Sequence, residues 1–185
     1  MEAVSHRGKL VFVASSRQLE QRLVFAIQFW LCNYPRMSER LRVEDRGEAV
    51  MFLIVCGREV MLQKRPLNGK GFEGETIVPG GKVEKGEETK QAASREIYKE
   101  SGLQNAEIIQ LGMPFRAITT SPHLYKVTPF LVFIQDKNLV TGMNKEEGEI
   151  VWMLFEDAIK IVDWAHCQVV FERARPVIEA RLIQG

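Results

Sequence analysis

The stretch Gly81–Leu103, GKVEKGEETKQAASREIYKESGL, decides the fold of this chain. It places a glycine turn, Pro79-Gly80-Gly81, before a short helix expected over 88–101, with Gly102 as a left-handed cap at its end. Glu96 and Glu100 are one helical turn apart and share a face, while Ala93 and Ile97 form the stripe expected to meet a sheet. Two carboxylates held side by side repel each other, and a divalent cation is a common way to neutralise them. Glycine permits the dihedrals that would let the preceding turn aim backbone carbonyls at the same point. Oxygen donors alone suit Mg²⁺ or Mn²⁺ rather than zinc. Taken by themselves, the two glutamates read more simply as a solvated helix face with a ladder of surface ion pairs.

The full spacing changes that weighting. Glu87 follows Gly81 after five residues, Arg95-Glu96-Ile97 follow after seven more, and Glu100, Gly102 and Leu103 close the run. This pattern resembles the Nudix box, the signature of the Nudix hydrolase superfamily. One fixed position departs: Lys99 stands where the box has the first of two adjacent glutamates. The resemblance implies an α/β protein with the Nudix fold, an α/β/α sandwich around a mixed central sheet. It also implies hydrolysis of a nucleoside diphosphate linked to another group X, by water attack on a phosphorus of the pyrophosphate, with Mg²⁺ or Mn²⁺ as cofactor.

Matched position by position, Glu100 corresponds to the family's most heavily used metal ligand and Glu96 to a second ligand that also serves as base. The Gly80 carbonyl corresponds to a backbone ligand, and Glu87 to a residue that supports or joins the metal site. Arg95 is expected to act in catalysis without touching metal, by pairing with a box glutamate and fixing its rotamer. Lys99 cannot ligate a cation; its ammonium is placed to pair with Glu96 or to meet a substrate phosphate. Two readings follow from it: an active enzyme with weakened metal affinity, or a catalytically silent Nudix domain that binds nucleotide or a protein partner.

Residues 48–185 are expected to form the Nudix domain and 1–47 an N-terminal addition. Within the addition, Lys9–Ala14 reads as a strand. Leu19, Leu23, Ala26, Ile27, Trp30 and Leu31 recur at helical spacing, as a helix packed on the core or on the partner in a homodimer. In the domain, the apolar run Ala49–Cys56, then Gly57-Arg58, then Glu59–Gln63 reads as a hairpin. Lys64 and Arg65 at its end are candidate substrate contacts. Residues 67–74 read as a loop, 76–78 as a short strand, and 106–111, 116–120 and 125–135 as further strands. His123 is tempting as a base, but a loop histidine is more often a surface or substrate-contact residue. Glu146, Glu147 and Glu149 precede the next strand, and resemblance to the family implies that one of them reaches the metal site. Trp152 is expected in the core. Two helices, 155–162 and 166–183, complete the chain, the second kinked or divided at Pro176.

Composition bounds the rest. At 185 residues and 45% hydrophobic content the chain can bury one sizeable core. A net charge of +1 with interspersed signs offers no electrostatic argument for nonspecific nucleic-acid binding, so the expected partner is a small nucleotide. That balance gives little help to the alternative of an RNA 5′-end pyrophosphohydrolase. The candidate substrate classes are nucleoside triphosphates, oxidised ones included, and nucleoside diphosphate sugars such as ADP-ribose. Cys32, Cys56 and Cys167 are widely spaced and odd in number, which fits reduced thiols in a cytoplasmic protein. Met1–Gly8 is polar, Leu10–Ala14 is too short for the apolar region of a secretory leader, and Leu23–Cys32 falls short of a membrane span.

Overall fold

The computed structural model describes residues 44–67, 72–118, 123–142, 148–162 and 164–184, together with three two-residue strands nearer the N-terminus. These are β1 (Ser5–His6), β2 (Lys9–Leu10) and β3 (Val13–Ala14). The long strand β4 (Glu44–Cys56) turns at Gly57-Arg58 into β5 (Glu59–Lys64), as the hairpin pattern requires. Then come β6 (Thr76–Ile77), β7 (Gly80–Lys82) and the helix α1 (Thr89–Ser101). Beyond it lie β8 (Ile108–Gln110), β9 (Phe115–Ile118), β10 (His123–Ile134) and β11 (Glu149–Leu154). Helices α2 (Phe155–Ile161) and α3 (Ala165–Gln184) end the chain.

Among the described residues, β3 to β11 make one nine-stranded mixed sheet along the path β11-β5-β4-β10-β9-β3. Strands β6, β7 and β8 attach to β5, β4 and β10. Its centre is the parallel pair β4–β10, in register from Val127 opposite Ala49 to Ile134 opposite Cys56; the other strand pairs are antiparallel.

The unbroken apolar run in β4 has a direct physical cause. Successive side chains point to opposite faces, and both faces are covered. Met51, Leu53 and Val55 join the core under α2 and α3, with Phe155, Ala158, Val170, Phe171 and Ala174. Val50, Phe52 and Ile54 join a second core under α1, with Ala92, Ala93 and Ile97. The α/β/α sandwich is therefore observed, with α1 on one flank of the sheet and the C-terminal helices on the other.

Four expectations change or fall outside the described residues. Strand β4 begins at Glu44, so it runs through the expected domain boundary at 47/48. Within the expected strand over 9–14 the described residues are β2 and β3, and β3 extends the main sheet by pairing with β9. The helix expected over 19–31 lies outside the described residues. Helix α3 is one continuous helix through Pro176. Pro176 is on the exposed side, so the carbonyl it leaves unbonded can face water, while Ala174 and Ile178 stay buried on either side of it.

Candidate active site

The site is built from β7 and α1. Strand β7 pairs antiparallel with β4, setting Gly80 opposite Met51, Gly81 opposite Val50 and Lys82 opposite Ala49. The expected glycine turn is thus a strand, and neither Gly80 nor Gly81 is among the residues with positive φ. Glycine is required here for closeness instead. A Cβ on Gly80 would collide with the Val50 carbonyl oxygen and lie 3.1 Å from Met51 Cα. A Cβ on Gly81 would lie 2.5 Å from Glu96 Cγ, so the bare backbone of Gly81 is the surface on which Glu96 rests.

Helix α1 is set by local chemistry at both ends. The Glu88 N–H donates to Gln91 Oε1 at 2.9 Å, which satisfies one of the donors that a helix start leaves open. Gly102 takes φ 76° and donates to the Tyr98 carbonyl at 2.7 Å, the left-handed cap that the sequence predicts. Between them the helix buries Ala92, Ala93 and Ile97 against the sheet, and with them Glu96 and Glu100.

Glu96 is 5% exposed and Glu100 3%. This excludes a solvated ion-pair ladder. Burying a carboxylate is costly unless cations and donors surround it, so the neighbours of this pair are part of its function.

Arg95 supplies the fixed part of that environment at Glu96. Its Nε and Nη2 donate to the two oxygens of Glu87, both at 2.8 Å, in the two-pronged geometry that makes arginine–carboxylate pairs strong. Nη2 also donates to the Lys82 carbonyl at 2.9 Å, and Nη1 donates to Glu96 Oε1. Glu87 additionally accepts from the Glu84 N–H at 2.9 Å. The Arg95 hydrogen bonds, followed by the Glu84 N–H, pull the Glu87 carboxyl down to about 2. Glu87 in turn, with Glu96 adding to it, pushes the Arg95 guanidinium above its ordinary value. On the other side of Glu96, Lys99 Nζ lies 3.5 Å from Oε2. Each Glu96 oxygen therefore faces a different cation.

The donor set limits what could bind. Among the described residues no group of three or more His, Cys, Asp or Glu side chains is arranged to hold a metal ion. Two buried carboxylates beside a backbone strand offer oxygen only, which fits a hard ion such as Mg²⁺ that keeps several waters, and does not fit zinc. Glu87 has both oxygens in the fork of Arg95, so its observed contacts are those of an anchor for Arg95.

The NUDIX domain model matches residues 45–172. The chain belongs to the NUDIX domain family. It is 30% identical over 117 residues to Nudix hydrolase 3 of Caenorhabditis elegans, a match covering 60% of this chain and 48% of that one. The chain thus spans about half the length of that relative. It is also 30% identical over 133 residues to diphosphoinositol polyphosphate phosphohydrolase 2 of Rattus norvegicus, covering 70% of this chain and 69% of the relative. In fold it resembles the E. coli dihydroneopterin triphosphate pyrophosphohydrolase, with a TM-score of 0.60 at 16% identity over 71% of this chain and 97% of that one.

Within this Nudix domain the remaining candidates are scattered. Lys64 is exposed at the end of β5, and the strand register sets exposed Glu149 of β11 directly opposite it. Arg65 is half-buried; its N–H donates to the Glu75 carbonyl at 2.9 Å and its carbonyl accepts from the Gly74 N–H at 3.1 Å. Glu146 and Glu147 lie outside the described residues. His123 opens β10 opposite Glu44 rather than sitting in a loop. Trp152 packs, partly buried, against the core under α1. The sequence reading did not identify the Lys82 carbonyl as a fixing point for Arg95. A backbone acceptor leaves no mark in residue type. It also did not find Gly81 as the seat of Glu96, although the glycine's place in the box is a signal for it.

Proposed function

We propose that this Nudix domain is a metal-dependent pyrophosphohydrolase that opens the diphosphate of a nucleoside diphosphate linked to X by water attack. The observation that carries this reading is the buried pair Glu96 and Glu100, whose burial has no use in a solvated helix and suits a site that must hold cations against an anionic substrate. Mg²⁺ or Mn²⁺ bound there would offset phosphate charge and acidify a water. In this reading Glu100 and Glu96 hold the ion, with the Gly80 carbonyl beside them. Arg95 fixes the rotamer of Glu96 through its Nη1, and Glu87 and the Lys82 carbonyl fix Arg95. Because the guanidinium stays protonated and anchored, Glu96 Oε1 is held toward Arg95 throughout turnover.

Nucleoside triphosphates and nucleoside diphosphate sugars are the leading substrate classes, and the name of the rat relative adds a diphosphoinositol polyphosphate. Chromatography of products after incubation with Mg²⁺ or Mn²⁺ tests this across normal and oxidised nucleoside triphosphates, ADP-ribose, sugar nucleotides, dinucleoside polyphosphates, a diphosphoinositol polyphosphate and 5′-triphosphorylated RNA. The expected result is a product from one of the small-molecule classes that requires metal. Binding of a nucleotide with no product from any of them would support instead the silent binding domain, the reading that the Lys99–Glu96 pair favours.

A further inference from the structure

Lys99 and Arg95 both face Glu96, but they are held differently. Arg95 is locked by both oxygens of Glu87 and by the Lys82 carbonyl, so it cannot leave Glu96 without breaking three other hydrogen bonds. The Lys99 side chain is 48% exposed, sits on a flexible four-carbon stem, and meets Glu96 Oε2 at 3.5 Å, an ion-pair distance longer than a good N–H···O hydrogen bond. Oε1 thus accepts from an anchored guanidinium, and Oε2 is the Glu96 oxygen that faces the more loosely placed cation.

We propose that Lys99 is a tethered competitor for that oxygen: its ammonium competes with a divalent ion for Glu96 Oε2, so that Glu96 and Glu100 bind metal more weakly, or take one ion fewer, than they would without it. This rests on the reading of Glu96 and Glu100 as a metal site. The physics is a competition of charges at one carboxylate oxygen. A divalent ion arriving at Oε2 must displace the ammonium and also approach a helix turn that already carries two positive side chains. Near a protein surface, a unit charge a few ångströms away changes the affinity of a divalent ion by about tenfold or more. Lys99 would then act as a positioning residue that sets how many ions the site takes and how tightly.

The test is Mn²⁺ binding to the full chain without nucleotide, with free Mn²⁺ followed by electron paramagnetic resonance and heats by calorimetry. The proteins are wild type, Lys99→Met, Lys99→Gln, Lys99→Arg and, as a control, Glu100→Gln. Removing the ammonium, in Lys99→Met and Lys99→Gln, should either add one Mn²⁺ per chain or tighten binding by about tenfold. Lys99→Arg, which keeps a cation there, should behave like wild type. Unchanged number and affinity in both the Met and Gln variants, with binding lost in Glu100→Gln, would overturn the role given to Lys99 and leave the metal site standing. No Mn²⁺ bound by wild type or any variant would overturn the metal reading itself and the Lys99 inference with it. The half-exposed side chain makes all three Lys99 variants compatible with the fold, and a thermal melt of each checks this.

Discussion

Glu96 on one flank of the sheet and His166 on the other are equally buried, at 5% exposure each, yet they are held in opposite ways. Glu96 lies between two cationic side chains, and its helix turn is anchored through Arg95 to Glu87. His166, near the start of α3, lies 5.8 Å from the Trp164 ring and 5.9 Å from Phe72, which itself meets Trp164 edge-on at 4.9 Å. Its Nδ1 finds no hydrogen-bond partner among the described residues, and burial alone pushes the imidazole down to about 4. The two flanks thus bury a polar group by different means. A carboxylate kept in place with its counter-cations is organised for charge, whereas a histidine pressed among aromatic rings is organised for packing.

The sharpest way to break the charged side is Arg95→Ala. It leaves Glu96 buried without its fixed cation and Glu87 without its fork. We expect a stability loss of about 2 kcal/mol in urea unfolding, between the values for exposed and fully buried ion pairs, because Arg95 is one-third exposed while Glu96 is buried. Whatever turnover the wild type shows should fall by about 10- to 100-fold in the variant, since Glu96 loses the group that fixes it. A change below about 0.5 kcal/mol, typical of surface substitutions, would mean that the Arg95 contacts do not hold the site together.

The aromatic side predicts a pH effect. The unfolded chain takes up a proton at His166 near its ordinary 6.5 and the folded chain only near 4. Between those values the unfolded state holds more protons, so this group lets stability fall as pH falls, with its contribution intact above 6.5 and fully lost below about 4. His166→Phe should therefore flatten the stability-versus-pH curve over that window by about 2–3 kcal/mol. Glu87, ordinarily near 4.5 and held at about 2, acts in the same direction lower down: its stabilisation is present above 4.5 and lost toward 2. The acid limb below 4.5 should thus survive in His166→Phe. Unfolding midpoints measured every half pH unit separate the two, and an unchanged slope between 6.5 and 4 would contradict the neutral histidine.

A smaller effect is expected at the end of α1. Gly102→Ala puts a Cβ on a residue at φ 76° and against Thr141 Oγ1, and should cost about 1–2 kcal/mol of stability without altering metal binding. A thermal melt together with an Mn²⁺ titration reads both.

How much of this was legible in the chain follows from which interactions are local. The spacing of Gly81, Glu87, Arg95, Glu96, Glu100 and Gly102 showed the helix, its cap and the carboxylate pair, because all of these are set within a few turns of chain. The apolar run in β4 showed a strand for the same reason, while the cover on both of its faces emerged only from the packing. Strand β7 was not legible as a strand. Three residues carry no period of their own, and Gly80 and Gly81 are fixed by Val50, Met51 and Glu96, which the chain brings to them only on folding. The downstream glutamates were equally closed to inspection: only register shows that Glu149 stands opposite Lys64. The continuity of α3 across Pro176 depends on burial of Ala174 and Ile178, a tertiary fact that outweighs local propensity.

The proposed function makes the buried Glu96–Glu100 edge a metal-dependent hydrolytic centre. The most direct test is turnover of the best substrate by wild type and Glu100→Gln across a Mg²⁺ titration, with thermal melts of both proteins alongside. Metal-dependent turnover is expected in the wild type, with a loss of at least about 100-fold in a variant that melts as a folded protein, as removal of a ligand to a catalytic ion should give. Near-full activity in folded Glu100→Gln, or wild-type turnover indifferent to Mg²⁺ and its chelation, would contradict it.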